Sequence, residues 1–286
     1  MHKVTEKWLE KINEEFSKND IPHRQRPWLA WCEWGRITGT MSRPSDEPVE
    51  KIFAWFEKNT KAGSQQIGPM YVGAYYYDSC FWPIFVPIVF GSARVDARGR
   101  LKTMPESIVT RLWSDKKKLG EYVSVFVDCI DYAFGLEDAQ KSSTLCKFAK
   151  ELLGSGNQQL KATVSLVLES SPNSKSMESA RMATEMFLKA LPAAKIGLTE
   201  KDAQNKIGHV LTKALAACLS VDANSELKVI LPNLKIFPSI ADRYKGTHKT
   251  PTELWRAYAI AQFVGTTVVR SLSGRDTRGT IRITAG

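Results

Sequence analysis

Four carboxylates that are close together in the sequence are the first residues whose types and spacing suggest chemistry. They are Asp128, Asp131, Glu137 and Asp138. Two carboxylates three residues apart share one face of a helix, where such a pair can bind a metal ion or transfer protons. No histidine is near them in the sequence, and nothing else completes a set of metal ligands. We therefore prefer the alternative of a solvated helix face, and predict no metal and no cofactor.

Tryptophan is concentrated near the N-terminus, where arginines accompany it. Five of the eight tryptophans lie in the first 60 residues, namely Trp8, Trp28, Trp31, Trp34 and Trp55. With Arg24, Arg26 and Arg36 they could stack nucleobases or hold a flat ligand. We prefer the other interpretation, a small domain that packs its core on indole rings.

The charge of the chain favours a polyanionic partner. It has 40 basic and 30 acidic residues, a formal net charge of +10. The excess is concentrated at the C-terminal end, where eight basic residues and two acidic ones follow from Arg243 onward. Such a segment attracts nucleic acid or a phosphorylated ligand. A basic, solvated tail is the alternative.

Common catalytic and targeting motifs are absent from the sequence. It has no GxGxxG, P-loop, HExxH or GxSxG motif, and its five cysteines are far apart without a CxxC pair. The longest uncharged apolar stretch, residues 80–90, is too short to span a membrane. Residues 1–16 are charged throughout and lack the apolar segment of a secretory signal. We therefore expect a cytoplasmic protein with no membrane partner.

The first half of the chain has the pattern of an α+β domain. Helices are predicted at residues 8–16, 52–56, 105–112 and 119–134. Antiparallel strands are predicted at residues 70–77 and 81–90, with a third, short strand after a turn at 96–99. Pro83 and Pro87 favour an edge or bulged position for the second strand.

The segment GSGNQQ, residues 154–159, is short, polar and contains glycine, which predicts a linker. It would divide a Trp-rich α+β domain of unknown type, residues 1–153, from a helical domain at residues 158–275. Residues 276–286 would then form a basic tail. The overall fold class predicted is α+β.

Helical spacing dominates the second half, which predicts an all-α bundle of four or five helices. The helices are expected at residues 160–168, 183–191, 199–218, 227–234 and 250–271, and the second of them is expected to end near Gly197. Arg181, Glu185 and Lys189 form a charged stripe with ion-pair spacing, opposite the apolar face of the second of these helices. His209 is interpreted as a packing or capping residue rather than a base.

The last predicted helix has the clearest start signal in the chain. Thr250 is a typical N-cap, Pro251 fits the first helical position, and Glu253 completes a capping box. Beyond its main apolar stripe this helix has further apolar residues, including Trp255 and Phe263. They predict a homodimer with this helix at the interface.

Three segments of the second half resemble the HEPN (higher eukaryotes and prokaryotes nucleotide-binding) domain. They are SARMATEMFLKALPAAK at 179–195, KIGHVLTKAL at 206–215, and ADRYKG at 241–246, which leads into the final helix. The resemblance covers residues 158–275, and the first half resembles no family that we know. It implies an up-and-down helical bundle, a homodimer and, as in many members, metal-independent ribonuclease activity.

The resemblance also implies catalytic residues. HEPN ribonucleases have an Arg, then four to six residues, then a His near the start of the last helix, and Arg243 and His248 match this spacing. A neutral His can take the proton of a ribose 2′-hydroxyl while the Arg holds the phosphate. Candidate RNA contacts around this pair are Tyr244, Lys245, Lys249, Arg275 and Arg278.

Together these features predict a protein that binds RNA or a nucleotide, with metal-independent ribonuclease activity as its enzymatic form, in a bacterial defence or stress system. The first alternative is a non-enzymatic module for dimerisation or interaction, without nucleic-acid chemistry. The second is a small-molecule enzyme built on the β-rich segment, for which the sequence offers no catalytic group.

Overall fold

The computed structural model describes residues 3–39, 43, 45–62, 68–89, 95–223, 225–239 and 248–278. The chain divides into two compact units, Met1–Gly68 and Pro69–Gly286. The fold is a mostly helical α+β, because 70% of it is helix and its sheet has two antiparallel strands within the described ranges. No helix of the described part is both long and apolar enough to cross a lipid bilayer.

The first unit consists of three helices in its described residues. They are α1 (Glu6–Lys18), α2 (Arg26–Thr38) and α3 (Glu47–Asn59). Trp34 is buried in their common core, with Trp8 packed edge-on at a ring distance of 5.4 Å. The predicted indole core is confirmed for this pair, whereas Trp28 is 43% exposed and contacts Phe53 at the surface.

Seven helices make up most of the second unit where the structure describes it. They are α4 (Glu106–Ser114), α5 (Lys116–Lys141), α6 (Lys147–Val167), α7 (Ser176–Ile196), α8 (Glu200–Asp202), α9 (Leu211–Val221) and α10 (Pro251–Ser273), and a 3₁₀ segment spans Glu226–Ile236. Helix α10 packs against α5, α6 and α7, while α7 also packs against α6 and α9. The capping box of Thr250 and Glu253 at the start of α10 is confirmed.

A β-hairpin belongs to this second unit, so the predicted strands are not part of the first one. Strands β1 (Tyr71–Tyr77) and β2 (Cys80–Val86) pair antiparallel around a two-residue turn. Pro83 lies opposite Ala74, in the fourth residue pair from the turn. Hydrogen-bonded and non-hydrogen-bonded pairs alternate along an antiparallel ladder, and this pair is of the non-hydrogen-bonded kind. The missing proline N–H therefore costs no bond, as the predicted edge position requires.

The predicted third strand is wrong. The predicted turn at 96–99 is confirmed, because residues 98–100 form a 3₁₀ turn, but no strand follows it: the N–H of Met104 donates to the carbonyl of Leu101 at 2.9 Å in a further turn. The carboxylate of Asp96 accepts the backbone N–H groups of Arg98 and Gly99 at 2.9 and 3.0 Å. A local side-chain bond of this kind competes with strand pairing.

The hairpin is attached to the helices at Gly73. A Cβ atom at this position would lie 2.5 Å from the Sγ of Cys129 on α5 and 3.1 Å from the hydroxyl of Tyr258 on α10. The Tyr258 hydroxyl also accepts the backbone N–H of Ala74 at 2.9 Å. The backbone of β1 therefore contacts both α5 and α10.

The predicted linker at 154–159 is wrong, because these residues lie inside the continuous helix α6. A Cβ atom at Gly156 would lie 2.6 Å from the ring of Phe187 on α7, and one at Gly265 of α10 would lie 2.8 Å from the same ring. The two glycines thus let three helices approach around one buried ring. The division between the units falls at Gly68 rather than near residue 155.

The ion-pair spacing predicted for the charged stripe on α7 is confirmed, but this stripe does not face solvent. Arg181, Glu185 and Lys189 are all buried. The reason is that α6, α9 and α10 surround this helix. Its predicted end is confirmed, since Gly197 caps it in the left-handed conformation with a φ of +68°.

The two glycines of the 154–159 segment give a matched test of this packing. We expect Gly156→Ala to lower the free energy of unfolding by about 1–3 kcal/mol, because its methyl group would overlap the Phe187 ring. Gly154→Ala, whose nearest contact is 3.8 Å away, should raise it by up to about 1 kcal/mol, since alanine is the better helix former. Urea unfolding followed by circular dichroism measures both. Two equally small effects would indicate a flexible linker.

The thiols provide a second test of the core. Cys129 and Cys218 are buried, and burial raises the pKa of Cys218 to about 12. Cys32, Cys80 and Cys146 are exposed. At pH 8 we expect three thiols to react with Ellman's reagent in the native protein and all five in guanidinium chloride, because the thiolate is the reactive form. If four or five thiols reacted rapidly in the native protein, the arrangement of α5, α9 and β1 would be contradicted.

Candidate functional site

The structure describes only part of the predicted site before α10. Arg243, Tyr244 and Lys245 lie outside the described residues. His248 is exposed, two positions before the N-cap Thr250, and no described group forms a hydrogen bond to its ring. Nothing in the described part of the chain therefore orients this imidazole.

Lys249 lies beside the segment that leads into α7. Its backbone N–H donates to the Oγ of Ser174 at 3.1 Å, and its Nζ is 3.7 Å from Oε1 of Glu253. Glu253 accepts hydrogen bonds from the backbone and side chain of Thr250, which lower its pKa. The positive N-terminus of α10 is thus already covered by a carboxylate of the chain itself.

Two of the predicted RNA contacts are ion-paired within the chain. Arg275 is 2.7 Å from Asp138, and Arg278 is 2.6 Å from Glu226 and 3.0 Å from Asp276. The hydrogen bond to Asp276 is the main cause of a raised pKa of Arg278. RNA would have to compete with these carboxylates for both guanidinium groups.

The four carboxylates on α5 divide into two kinds. Asp131 is fully buried, and Asp128 is largely buried; both bind the guanidinium of Arg270 at 2.7 Å. Burial raises the pKa of Asp128, and Arg270 opposes this shift. Glu137 and Asp138 instead form exposed pairs, as a solvated face predicts.

Asp131 also forms hydrogen bonds with a residue that follows α10. It accepts the backbone N–H of Thr277 at 3.1 Å and the hydroxyl of Thr277 at 2.7 Å. In this position it is a structural anion rather than a metal ligand. Within the described ranges, no group of three or more His, Cys, Asp or Glu side chains is arranged to hold a metal ion.

A second buried charge cluster is centred on Glu185, in the middle of α7. Its carboxylate is 1% exposed. Oε1 accepts from the Nζ of Lys189 at 2.7 Å, and Oε2 is 3.5 Å from Nη1 of Arg181. The Nδ1 of His209 is 3.0 Å from Oε1, and the His209 side chain is 62% exposed. The cluster thus links a buried carboxylate to an accessible imidazole.

The segment before α9 directs His209 toward α7. Residues Ala203–Ile207 form a π-helical turn, which ends at Gly208 with φ +59° and ψ −134°. That conformation favours glycine over any other residue. The carbonyl of His209 then accepts a hydrogen bond from Nη2 of Arg181 at 2.6 Å. Both the backbone and the ring of His209 are therefore held by α7.

The spacing of Arg181, Glu185 and Lys189 predicted their ion pairs but not their burial. His209, interpreted from the sequence as a packing or capping residue, was not predicted to join them. The available signal was the apolar character of the rest of 179–195, which indicates a helix buried on every side. Charged residues in such a helix must find partners.

Comparison of the chain with protein-family models, curated protein sequences and solved structures gives no match. The resemblance to HEPN domains consequently depends on the three sequence segments alone.

The carboxylates of α5 give a matched pair of variants. We expect Asp131→Ala to lower the free energy of unfolding by about 3–5 kcal/mol, because it leaves Arg270 buried without its main partner. Asp138→Ala removes an exposed partner of Arg275 and should cost less than about 1 kcal/mol. Urea titrations of both variants and the wild type measure the difference. Similar costs would mean that the Arg270 pair does not hold α5 and α10 together.

Proposed function

We propose that this protein binds RNA or a nucleotide through its second unit. The observation that supports the proposal is the distribution of charge between the units. Residues 1–68 have 11 basic and 10 acidic side chains, whereas residues 69–286 have 29 basic and 20 acidic ones. Nearly all of the excess positive charge therefore belongs to the second unit. Phosphate backbones are attracted by such an excess, and they displace counterions from it.

The binding surface that we propose begins before α10 and continues onto its exposed side. His248 is exposed, and Lys249 is held next to α7 by its bond to Ser174. Arg256, in the second turn of α10, is exposed and has no ion pair among the described residues. Lys249 and Arg256 are cations, and with His248 they follow directly on the basic segment 243–245, which the sequence predicts as an RNA contact.

The resemblance to HEPN domains extends this proposal. It assigns residues 158–275 of that unit to the HEPN fold, with a homodimer and a role in bacterial defence or stress. The cytoplasmic location that we propose rests instead on the N-terminal sequence, which lacks a secretory signal. The resemblance also assigns metal-independent RNA cleavage to Arg243 and His248. If that assignment holds, His248→Ala must abolish cleavage in the presence of EDTA without weakening RNA binding, since a neutral imidazole adds little to phosphate affinity.

A non-enzymatic interaction module is the second candidate function. Val229 and Leu231 of the 3₁₀ segment are 64% and 53% exposed. Neighbouring exposed aliphatic side chains are typical of surfaces that contact another protein.

Salt dependence of RNA binding tests the proposal. We expect single-stranded RNA to bind with an affinity that falls as salt rises, with a log–log slope of about 0.7 for each neutralised phosphate. Lys249→Ala and Arg256→Ala should reduce this slope. Lys141→Ala, which removes one equal charge from the ion pair with Glu137 on α5, is the control and should not. Fluorescence anisotropy measures all four proteins. Absence of binding at low salt would favour the interaction module.

A further inference from the structure

Three histidines lie in the described part of the chain, and only one has the geometry of a general base. His23 accepts the backbone N–H of Lys61 at its Nδ1, at 2.9 Å, so its other nitrogen carries the proton. His248 has no described partner. His209 places its Nδ1 3.0 Å from a carboxylate oxygen of Glu185.

Two cations of the same helix face the carboxylate of Glu185. It is buried between Lys189, 2.7 Å away, and Arg181, 3.5 Å away. An ionised carboxylate only accepts hydrogen bonds, so the Nδ1 of His209 must donate. The neutral ring then has its free electron pair at Nε2. A carboxylate in this position also stabilises the imidazolium that forms when Nε2 takes a proton.

The ring of His209 is accessible to a substrate. Its side chain is 62% exposed, and no described group contacts its Nε2. The two cations and one carboxylate of the cluster have a formal charge of +1 while the ring is neutral. Lys213, one turn further on at the start of α9, is exposed and has no ion pair in the described part. A phosphate next to His209 would therefore meet a positive field.

We propose that His209, oriented by Glu185, is the general base of a metal-independent RNA-cleaving site. This inference rests on the proposed RNA binding, and it assigns the base to the segment before α9 rather than to the segment before α10. In the reaction, Nε2 takes the proton of a ribose 2′-hydroxyl and the 2′-oxygen forms a bond to phosphorus. The bond from phosphorus to the 5′-oxygen breaks, and that oxygen takes a proton from water. The imidazolium then returns its proton to solvent.

His209→Ala is the central variant. It removes an exposed ring but keeps the carbonyl that Arg181 binds, so the fold should be unaffected. With a fluorogenic single-stranded RNA in EDTA, we expect it to cut the cleavage rate by about 10²–10⁴-fold while RNA binding is unchanged. Added imidazole should restore part of the rate, which would not happen if the ring were merely structural. A 2′-deoxy oligonucleotide of the same sequence is the control substrate and should resist the wild type.

Glu185→Gln tests the positioning role of the carboxylate. We expect a lower kcat with an unchanged KM, because the amide neither fixes the proton on Nδ1 nor stabilises the imidazolium of the transition state as the carboxylate does. This variant removes a buried charge, so circular dichroism must show that it folds. If it does not, the imidazole rescue of His209→Ala still decides the assignment.

The outcomes separate this inference from the proposed function. Loss of cleavage in His209→Ala that added imidazole partly restores, with full activity in His23→Ala, supports the assignment. Unchanged cleavage in His209→Ala, or loss in His248→Ala alone, overturns it, as does RNA binding by a wild type that does not cleave. In these cases the proposed binding stands. No RNA binding at low salt overturns both.

Discussion

The second unit depends on one constraint: an ionisable or polar group buried between its helices costs several kcal/mol unless it has a partner. Among the described buried side chains, only Nη1 of Arg270 and the hydroxyls of Ser176 and Thr267 lack a hydrogen bond. Helix α10 shows this along its whole length. Tyr258, Gln262, Thr266 and Arg270 follow one another at four-residue intervals on a buried face. The Tyr71 hydroxyl donates to Gln262 at 2.7 Å, Gln262 donates to Thr266 at 3.1 Å, and Arg270 binds α5. These bonds set the register of α10 against β1 and α5 in a way that apolar contacts alone cannot.

The same constraint produces the candidate site. Burial of α7 on all sides forces Glu185 to collect Lys189, Arg181 and the ring of His209 as partners. An ion cluster of this kind contributes little net stability compared with apolar residues of the same volume. A positioned imidazole with a free nitrogen at the surface is the functional property that such a cluster can provide. Structure and proposed chemistry are thus two consequences of one buried carboxylate.

Local structure could be predicted from the sequence more accurately than the burial of individual residues. Capping of α10 by Thr250 and Glu253 and the end of α7 at Gly197 follow from nearest-neighbour chemistry, and both are confirmed. The linker at 154–159 failed because glycine serves both flexible segments and close helix contacts, and only the position of Phe187 on another helix distinguishes the two. The burial of the Glu185 cluster could not be predicted for a related reason. The ion-pair spacing of its residues fits a solvated helix face equally well, and only the packing of distant helices around α7 buries them.

The tautomer of His209 tests the central claim most directly, because the whole inference requires Glu185 to hold the proton on Nδ1. Long-range ¹H–¹⁵N correlation spectra of the imidazole rings, recorded above the pH at which the histidines are protonated, distinguish the two tautomers. His23, whose Nδ1 accepts a backbone N–H, provides an internal reference with the proton on Nε2. We expect His209 to show the opposite pattern, with Nδ1 protonated and Nε2 bare. A His209 ring with its proton on Nε2, or an equal mixture of the two forms, would contradict the claim that Glu185 orients a general base.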